Sequence, residues 1–151
     1  MFNRSYVAAA LLAVLTPLQA VPASAQGEIL ITQAKALAGG VTPGDSPNFP
    51  VVISQAGAYL LASNLQVPAN KAGIQVTAAF VTIDLNGFRI AGSSTSTSGI
   101  TGAVAHVTVQ NGTVTGFKND GINTAGTGWL VTGVRVVNNK GNGVGNGSNS
   151  H

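Results

Sequence analysis

Hydrophobic residues alternate with polar ones along most of the chain beyond its first third, which is the period of a β-strand with one buried face. Val81, Ile83 and Leu85 show the alternation most clearly. Val107 and Val109 repeat it further along. The alternating stretches are short and end in Gly or Asn, which tolerate the positive φ angles of tight corners. The pattern therefore predicts many short strands separated by turns.

A Gly followed by Ile or Val recurs at a nearly constant step. The dipeptides are Gly73-Ile74, Gly99-Ile100, Gly121-Ile122 and Gly143-Val144. A repeat of about 22 residues with several short strands predicts a parallel β-helix, in which successive coils pair about 4.8 Å apart. Branched aliphatic residues would then stack down the interior. The first step is longer than the other two by four residues, which are expected to form a loop at the Ser/Thr run 93–98.

Two other repeat folds are excluded. A leucine-rich repeat needs more Leu and a helical return, and a calcium-binding β-roll needs the motif G-G-x-G-x-D, which does not occur. A β-sandwich stays open as an alternative, although it does not explain the constant step. The predicted fold class is all-β: a right-handed parallel β-helix of about four coils with a short N-terminal capping helix.

The chain divides into three parts. Residues 1–25 are interpreted as a signal peptide, 26–50 as an N-terminal cap of one short helix and a loop, and 51–151 as the coils. In the cap, Thr32 is the expected N-cap of the helix and Gly39-Gly40 its end. The last coil is incomplete, since only eight residues follow Gly143. We therefore expect an N-terminal fragment of a longer β-helix, and the alternative is self-association through the open end.

Residues 1–25 have the three parts of a secretory signal. Arg4 supplies the positive charge, 7–15 form the apolar segment, and Ala23-Ser24-Ala25 is the cleavage site. Cleavage after Ala25 predicts a secreted or periplasmic protein with no membrane span after signal removal, because no second apolar stretch is long enough.

Charge is scarce in the 151 residues: 7% are charged, against about 25% in an ordinary soluble domain. This excludes a coiled coil or a helical bundle with charged outer faces. The formal net charge of +3 comes from few groups without a Lys/Arg cluster, so we expect no nucleic-acid partner. The chain has no Cys, and disulfides contribute nothing to it.

Several stretches together resemble secreted bacterial right-handed β-helix proteins of the pectin-lyase-like superfamily, over about residues 41–144. They are Val41-Thr-Pro-Gly-Asp45, 52–61, Asn64-Leu-Gln-Val-Pro68, Val81-Thr-Ile-Asp-Leu-Asn-Gly-Phe88 and Val107-Thr-Val-Gln-Asn-Gly-Thr113. The superfamily includes pectate lyases, polygalacturonases, alginate epimerases, phage tailspikes, adhesins and periplasmic accessory proteins for copper sites. The resemblance thus implies the fold and leaves the activity open.

Catalytic chemistry of that superfamily needs paired carboxylates or a calcium site made of several oxygen ligands. After the signal peptide the acidic residues are only Glu28, Asp45, Asp84 and Asp120, and the polygalacturonase Asp-Asp pair and Arg-x-Lys motif do not occur. We therefore assign no catalytic residue, metal site or cofactor. Asp84 is interpreted as a hydrogen-bonded residue beside the corner Asn86-Gly87.

A binding role has more support. Lys118 and Lys140 are one repeat step apart and should lie on the same face, roughly 5 Å apart. With Asp120 and Arg135 they are the candidate contacts for an anionic sugar. The alternative is that all four are solvated side chains near a turn.

Three other residue types are interpreted structurally. Trp129 is expected to be partly buried, and His106 to be a surface or corner residue. Corner Asn side chains are expected to form hydrogen bonds from coil to coil, and the residues are Asn111, Asn119, Asn138, Asn139, Asn142 and Asn146. The predicted function is a structural or glycan- or surface-binding role, with polysaccharide or a cell-surface glycan as partner. The alternative is a carbohydrate-active enzyme, pectate-lyase-like or polygalacturonase-like, whose catalytic part is missing or unidentified.

Overall fold

The computed structural model describes residues 27–146, so the predicted signal peptide and residues 147–151 lie outside the described part. The described chain is an all-β parallel β-helix of about four turns, consistent with the right-handed one predicted. Each full coil places short strands on three faces, which three corners separate. Corner A leads from face 1 to face 2, corner B from face 2 to face 3, and corner C from face 3 to the next coil.

Face 1 is a five-stranded parallel sheet of β2 (Val51–Ile53), β5 (Ile74–Val76), β8 (Ile100–Gly102), β10 (Ile122–Thr124) and β12 (Val144–Gly145). Faces 2 and 3 form one seven-stranded sheet that bends at corner B. Its strands are β1 (Ile29–Ile31), β3 (Gly57–Leu61), β4 (Leu65–Gln66), β6 (Val81–Asp84), β7 (Arg89–Ala91), β9 (Val107–Thr115) and β11 (Leu130–Val137). Face 2 contains β1, β3, β6 and the first halves of β9 and β11, whereas face 3 contains β4, β7 and the second halves.

The Gly-Ile step is confirmed as a stacked column inside face 1. Ile74 pairs with Ile100, Ile100 with Ile122, and Ile122 with Val144. The three Ile side chains are completely buried. Val51 begins the column by pairing with Ile74, a step that the dipeptide pattern did not include. Each Ile contributes about 1.5–3 kcal/mol by its removal from water, and only stacking of the coils makes that burial complete.

The prediction for the four additional residues of the second coil was half right. Val81 pairs with Val107, which lies 26 residues further on, as the long step predicts. Arg89 pairs with Thr113, which lies only 24 residues further on. Two of the additional residues therefore lie at corner B, and the Ser/Thr run 93–98 contains the other two. The third coil turns corner B with two residues fewer, within the continuous strand β9, where Asn111 adopts φ 59°.

The short N-terminal helix is confirmed as α1 (Gln33–Ala38). Thr32 is its N-cap and accepts a hydrogen bond from Lys35 N–H at 3.1 Å, and Gly39 ends it with φ 77°. The strand β1, which precedes the helix and pairs with β3, was not predicted. Three residues are too few to show a period, so only the pairing with β3 defines this strand.

Candidate functional site

Two arginines lie in register on the outer side of face 3. Arg89 pairs with Thr113, and Thr113 pairs with Arg135. Ile90, next to Arg89, is completely buried, and Val136, next to Arg135, pairs with the completely buried Val114. Alternation therefore directs both Arg side chains outward. Both Arg residues are exposed, two coils apart.

Lys118 and Lys140 occupy equivalent positions at corner C of successive coils. The two lysines are 22 residues apart, and so are the strand pairs that flank them, Thr115 with Val137 and Ile122 with Val144. Lys140 N–H donates to the carbonyl of Phe117 at 2.9 Å, which joins the two corners. Both Lys side chains are exposed, and the backbones that carry them belong to successive coils, which pair about 4.8 Å apart.

A third lysine lies at the same corner. The Lys71 carbonyl accepts a hydrogen bond from Thr97, whose own carbonyl accepts one from Asn119. Lys71 therefore lies two coils before Lys118, and it is also exposed. We call the set Lys71, Arg89, Lys118, Arg135 and Lys140 the cationic strip. It contains five of the six Lys and Arg residues in the described part of the chain, and the sixth, Lys35, lies in α1.

Asp120, the fourth predicted site residue, has a structural role beside this strip. One carboxylate oxygen accepts the backbone N–H of Asn142 at 2.7 Å, and the other accepts the side-chain amide of Asn123 at 3.0 Å. The bond from Asn142 joins corner C of the third coil to that of the fourth, and the bond from Asn123 ties the same corner to β10. Because amide donors occupy both oxygens, Asp120 stabilises the corner that carries the lysines.

Asp84 is held in a ladder of amides on the outer side of face 2. Its carboxylate accepts hydrogen bonds from Gln110 at 2.7 Å, Asn111 at 3.0 Å and the backbone N–H of Asn86 at 2.7 Å. Partial burial opposes ionisation, but the bonds from Gln110, Asn86 and Asn111 outweigh it and lower the pKa of Asp84. Asp84 therefore stabilises corner B, as its sequence position beside Asn86-Gly87 predicted, and it lies on another face from Asp120.

Corner A carries an aromatic pair that the sequence interpretation did not single out. Phe80 and His106 stack with ring centroids 4.9 Å apart and an interplanar angle of 13°. The step that aligns Val81 with Val107 could have revealed the pair, since it also aligns these two residues. His106 is an exposed corner residue, as predicted.

Trp129 is partly buried, as predicted, and its indole N–H donates to the carbonyl of Val104 at 2.8 Å. Gly102 provides the space for this indole, because a Cβ there would lie 2.9 Å from the Trp129 ring. Of the corner Asn side chains expected to form hydrogen bonds between coils, that of Asn111 donates to Asp84 and that of Asn139 accepts from the backbone N–H of Phe117. Asn64 and Asn86, which were not among them, also bond to the backbone of a neighbouring coil.

Comparison with protein-family models, curated proteins and solved structures gave no match. Between residues 27 and 146, no helix has the length and apolar character needed to cross a bilayer. In the same range, no three His, Asp or Glu side chains lie together as a metal site would require. The cationic strip and the aromatic corner are therefore the two surfaces from which a function can be argued.

Proposed function

We propose that the protein is a secreted or periplasmic β-helix that binds an acidic polysaccharide through the cationic strip. The observation that carries the proposal is the register of the strip. Lys118 and Lys140 repeat after one coil, and Arg89 and Arg135 repeat after two coils on the adjoining face. A set of cations separated by one or two coils suits a polymer whose negative charges also repeat, because each new contact adds to the same alignment.

The groups between the cations favour a sugar over a nucleic acid. Thr113, Thr97 and Asn119 lie among the charged residues and offer hydroxyl and amide groups. Such groups can both donate to and accept from sugar hydroxyls. Proteins that bind single-stranded nucleic acids add exposed aromatic rings for base stacking. The ring nearest the lysines, Phe117, is completely buried.

Two further parts of the proposal rest on the sequence. The sequence pattern of a signal peptide at residues 1–25 supports export, and export would bring the strip into contact with cell-wall or extracellular polysaccharides. The stretches that resemble the pectin-lyase-like superfamily support membership of that group, many of whose members act on acidic polysaccharides. The parallel β-helix architecture is compatible with this membership.

Binding of the purified full-length secreted protein to polygalacturonate, with dextran as a neutral control, tests the proposal. We expect saturable binding to the acidic polymer that weakens between about 0.01 M and 0.15 M salt, where the Debye length falls from about 30 to about 8 Å. The double variant Lys118→Gln/Lys140→Gln should bind about three- to tenfold more weakly, and so should Arg89→Gln/Arg135→Gln. Lys35→Gln is the control, because it removes a positive charge from α1, outside the strip.

Three results would overturn the proposal. One is equal binding by the wild type and both double variants. Another is a loss with Lys35→Gln as large as with Lys118→Gln, which would show a response to net charge alone. The third is tighter binding to duplex DNA than to polygalacturonate at the same salt. Release of unsaturated products or new reducing ends in the same mixtures would identify the enzymatic alternative instead.

A further inference from the structure

Corner A combines an exposed aromatic pair with backbone conformations that folding alone does not favour. Phe80 adopts φ 59° and His106 adopts φ 56°. Positive φ is uncommon for any residue with a side chain and is an outlier for a bulky one such as Phe. A corner of this kind forms at lower cost with Gly or Asn, as Gly128 illustrates one coil further on with φ 68°. Costly backbone conformations concentrate at binding sites.

The stacked pair leaves ring surface open to solvent. Phe80 is 69% exposed although one of its faces lies against His106, so its other face is uncovered. The position after His106 in this column is Gly128, where a Cβ would lie 3.0 Å from His106 Nδ1. Gly128 adds no side chain over His106, and His106 is exposed. The pair is therefore a short aromatic stack that a further ring can extend.

A cleft of about 310 Å³ is lined by residues that begin the two turns leading to this stack. The turn 77–80 begins at the cleft with Thr77 and ends at Phe80, and the turn 103–106 begins at the cleft with Ala103 and ends at His106. Three residues span at most about 11 Å, so a short oligosaccharide can contact both the cleft and the stack. The cleft is lined by Gln75, Val76, Thr77, Thr101, Gly102, Ala103, Val104 and Ala125.

The lining indicates the chemistry of the ligand. It contains no charged side chain, which disfavours an ionic ligand because burial of a charge without a partner is costly. Its polar side chains, Gln75, Thr77 and Thr101, offer an amide and two hydroxyls. Thr77 Oγ1 already donates to the carbonyl of Ile53 at 3.1 Å, so it presents acceptor lone pairs. Small and apolar residues make up the remainder, as in most ligand clefts.

We propose that corner A binds an uncharged oligosaccharide, with one sugar ring against the Phe80–His106 stack and its neighbour in the cleft. The C–H face of a pyranose ring is apolar with slightly positive hydrogens, and the face of an aromatic ring is slightly negative. Hydroxyl groups at the ring edge can reach Gln75, Thr77 and Thr101. The site lies away from the cationic strip and takes an uncharged ligand. This proposal therefore does not depend on the function proposed above.

Trp129, the single Trp of the chain, reports on this site without a label. Its indole N–H bonds to the carbonyl of Val104 and its ring lies beside Gly102, and both of these residues line the cleft. Titration of the full-length protein with cellohexaose or maltohexaose, two neutral hexasaccharides, should therefore change Trp129 fluorescence in a saturable way. Calorimetry under the same conditions gives the affinity independently of the optical signal.

Three variants locate the binding. Phe80→Ala should weaken the affinity by about tenfold or more, and Phe80→Leu should weaken it similarly, because Leu keeps an apolar side chain but has no flat ring. His106→Ala should cause a smaller loss. The matched control is Leu37→Ala in α1, which removes an apolar side chain that is 47% exposed and should leave the affinity unchanged.

Two results would overturn the proposal. One is the absence of a calorimetric or fluorescence response to both hexasaccharides at millimolar concentration. The other is binding that Phe80→Ala and Phe80→Leu leave within twofold of the wild type, with circular dichroism showing that both variants are folded. Unchanged salt dependence of the hexasaccharide affinity in Lys118→Gln/Lys140→Gln is expected, and it separates this site from the cationic strip.

Discussion

Gln110 of one coil donates its side-chain amide to the Asp84 carboxylate of the preceding coil at 2.7 Å. This bond, with those from Asn86 and Asn111, holds the pKa of Asp84 below its usual range despite partial burial of the carboxylate. A group with a lower pKa in the folded state stabilises the fold above its unfolded pKa of about 3.9, and the contribution is lost as the pH falls through the folded pKa. Acid should therefore weaken the junction of the second and third coils.

We expect Asp84→Asn to remove part of the pH dependence of unfolding. Wild-type stability should fall between about pH 5 and pH 2, whereas that of the variant should fall less over the same interval. Urea unfolding at a series of pH values measures both slopes. Glu28→Gln is the control, since Glu28 is exposed and precedes the first strand. An unchanged slope in Asp84→Asn would show that the amide ladder does not couple protonation to folding.

Truncation of the central aliphatic column should be costly. Ile100 is completely buried and pairs with Ile74 on one side and Ile122 on the other. Ile100→Ala should lower the free energy of unfolding by about 2–5 kcal/mol, because it leaves a cavity that neighbouring coils cannot close. Leu130→Ala removes a Leu that is 55% exposed and should change it by less than about 0.5 kcal/mol. Equal effects in denaturant unfolding would contradict the stacked interior.

A single methyl group at Gly102 should destabilise the third coil. A Cβ at this position would lie 2.9 Å from the Trp129 ring and 2.9 Å from the carbonyl of Val76. Gly102→Ala should therefore cost about 1–3 kcal/mol in unfolding experiments and shift the fluorescence of Trp129. At Gly27 a Cβ meets nothing within 4 Å, so Gly27→Ala should change neither property. An unperturbed Gly102→Ala protein would mean that the indole does not pack there.

The exposed Phe80 should be dispensable for stability. Phe80→Asn removes its stacking with His106 but places Asn, which tolerates positive φ, where the backbone has φ 59°. These two effects offset each other, and we expect the free energy of unfolding to change by no more than about 0.5 kcal/mol in thermal denaturation. A loss above about 2 kcal/mol would assign Phe80 a structural role and remove the argument that its strained backbone serves binding.

The interior of the β-helix could be predicted from the sequence, whereas the surface sites could be predicted only in part. The Gly-Ile step predicted the column that contains Ile74, Ile100 and Ile122, and the Lys118–Lys140 step predicted two neighbouring cations. The register of Arg89 with Arg135, two coils further on, was missed because corner B differs in length between the second and third coils. Phe80 was missed because one exposed aromatic residue has no significance until its neighbour in the next coil is known.

The sequence by itself determined the repeat, the strand faces and the helix α1, because alternation, β-branched residues, Gly and an N-cap Thr act through local geometry and burial. Only the tertiary structure decided which polar and aromatic side chains meet across coils. Those contacts depend on the corner lengths, because these set which residues pair in successive coils: Val81 pairs with a residue 26 positions further on, whereas Arg89 pairs with one 24 positions further on.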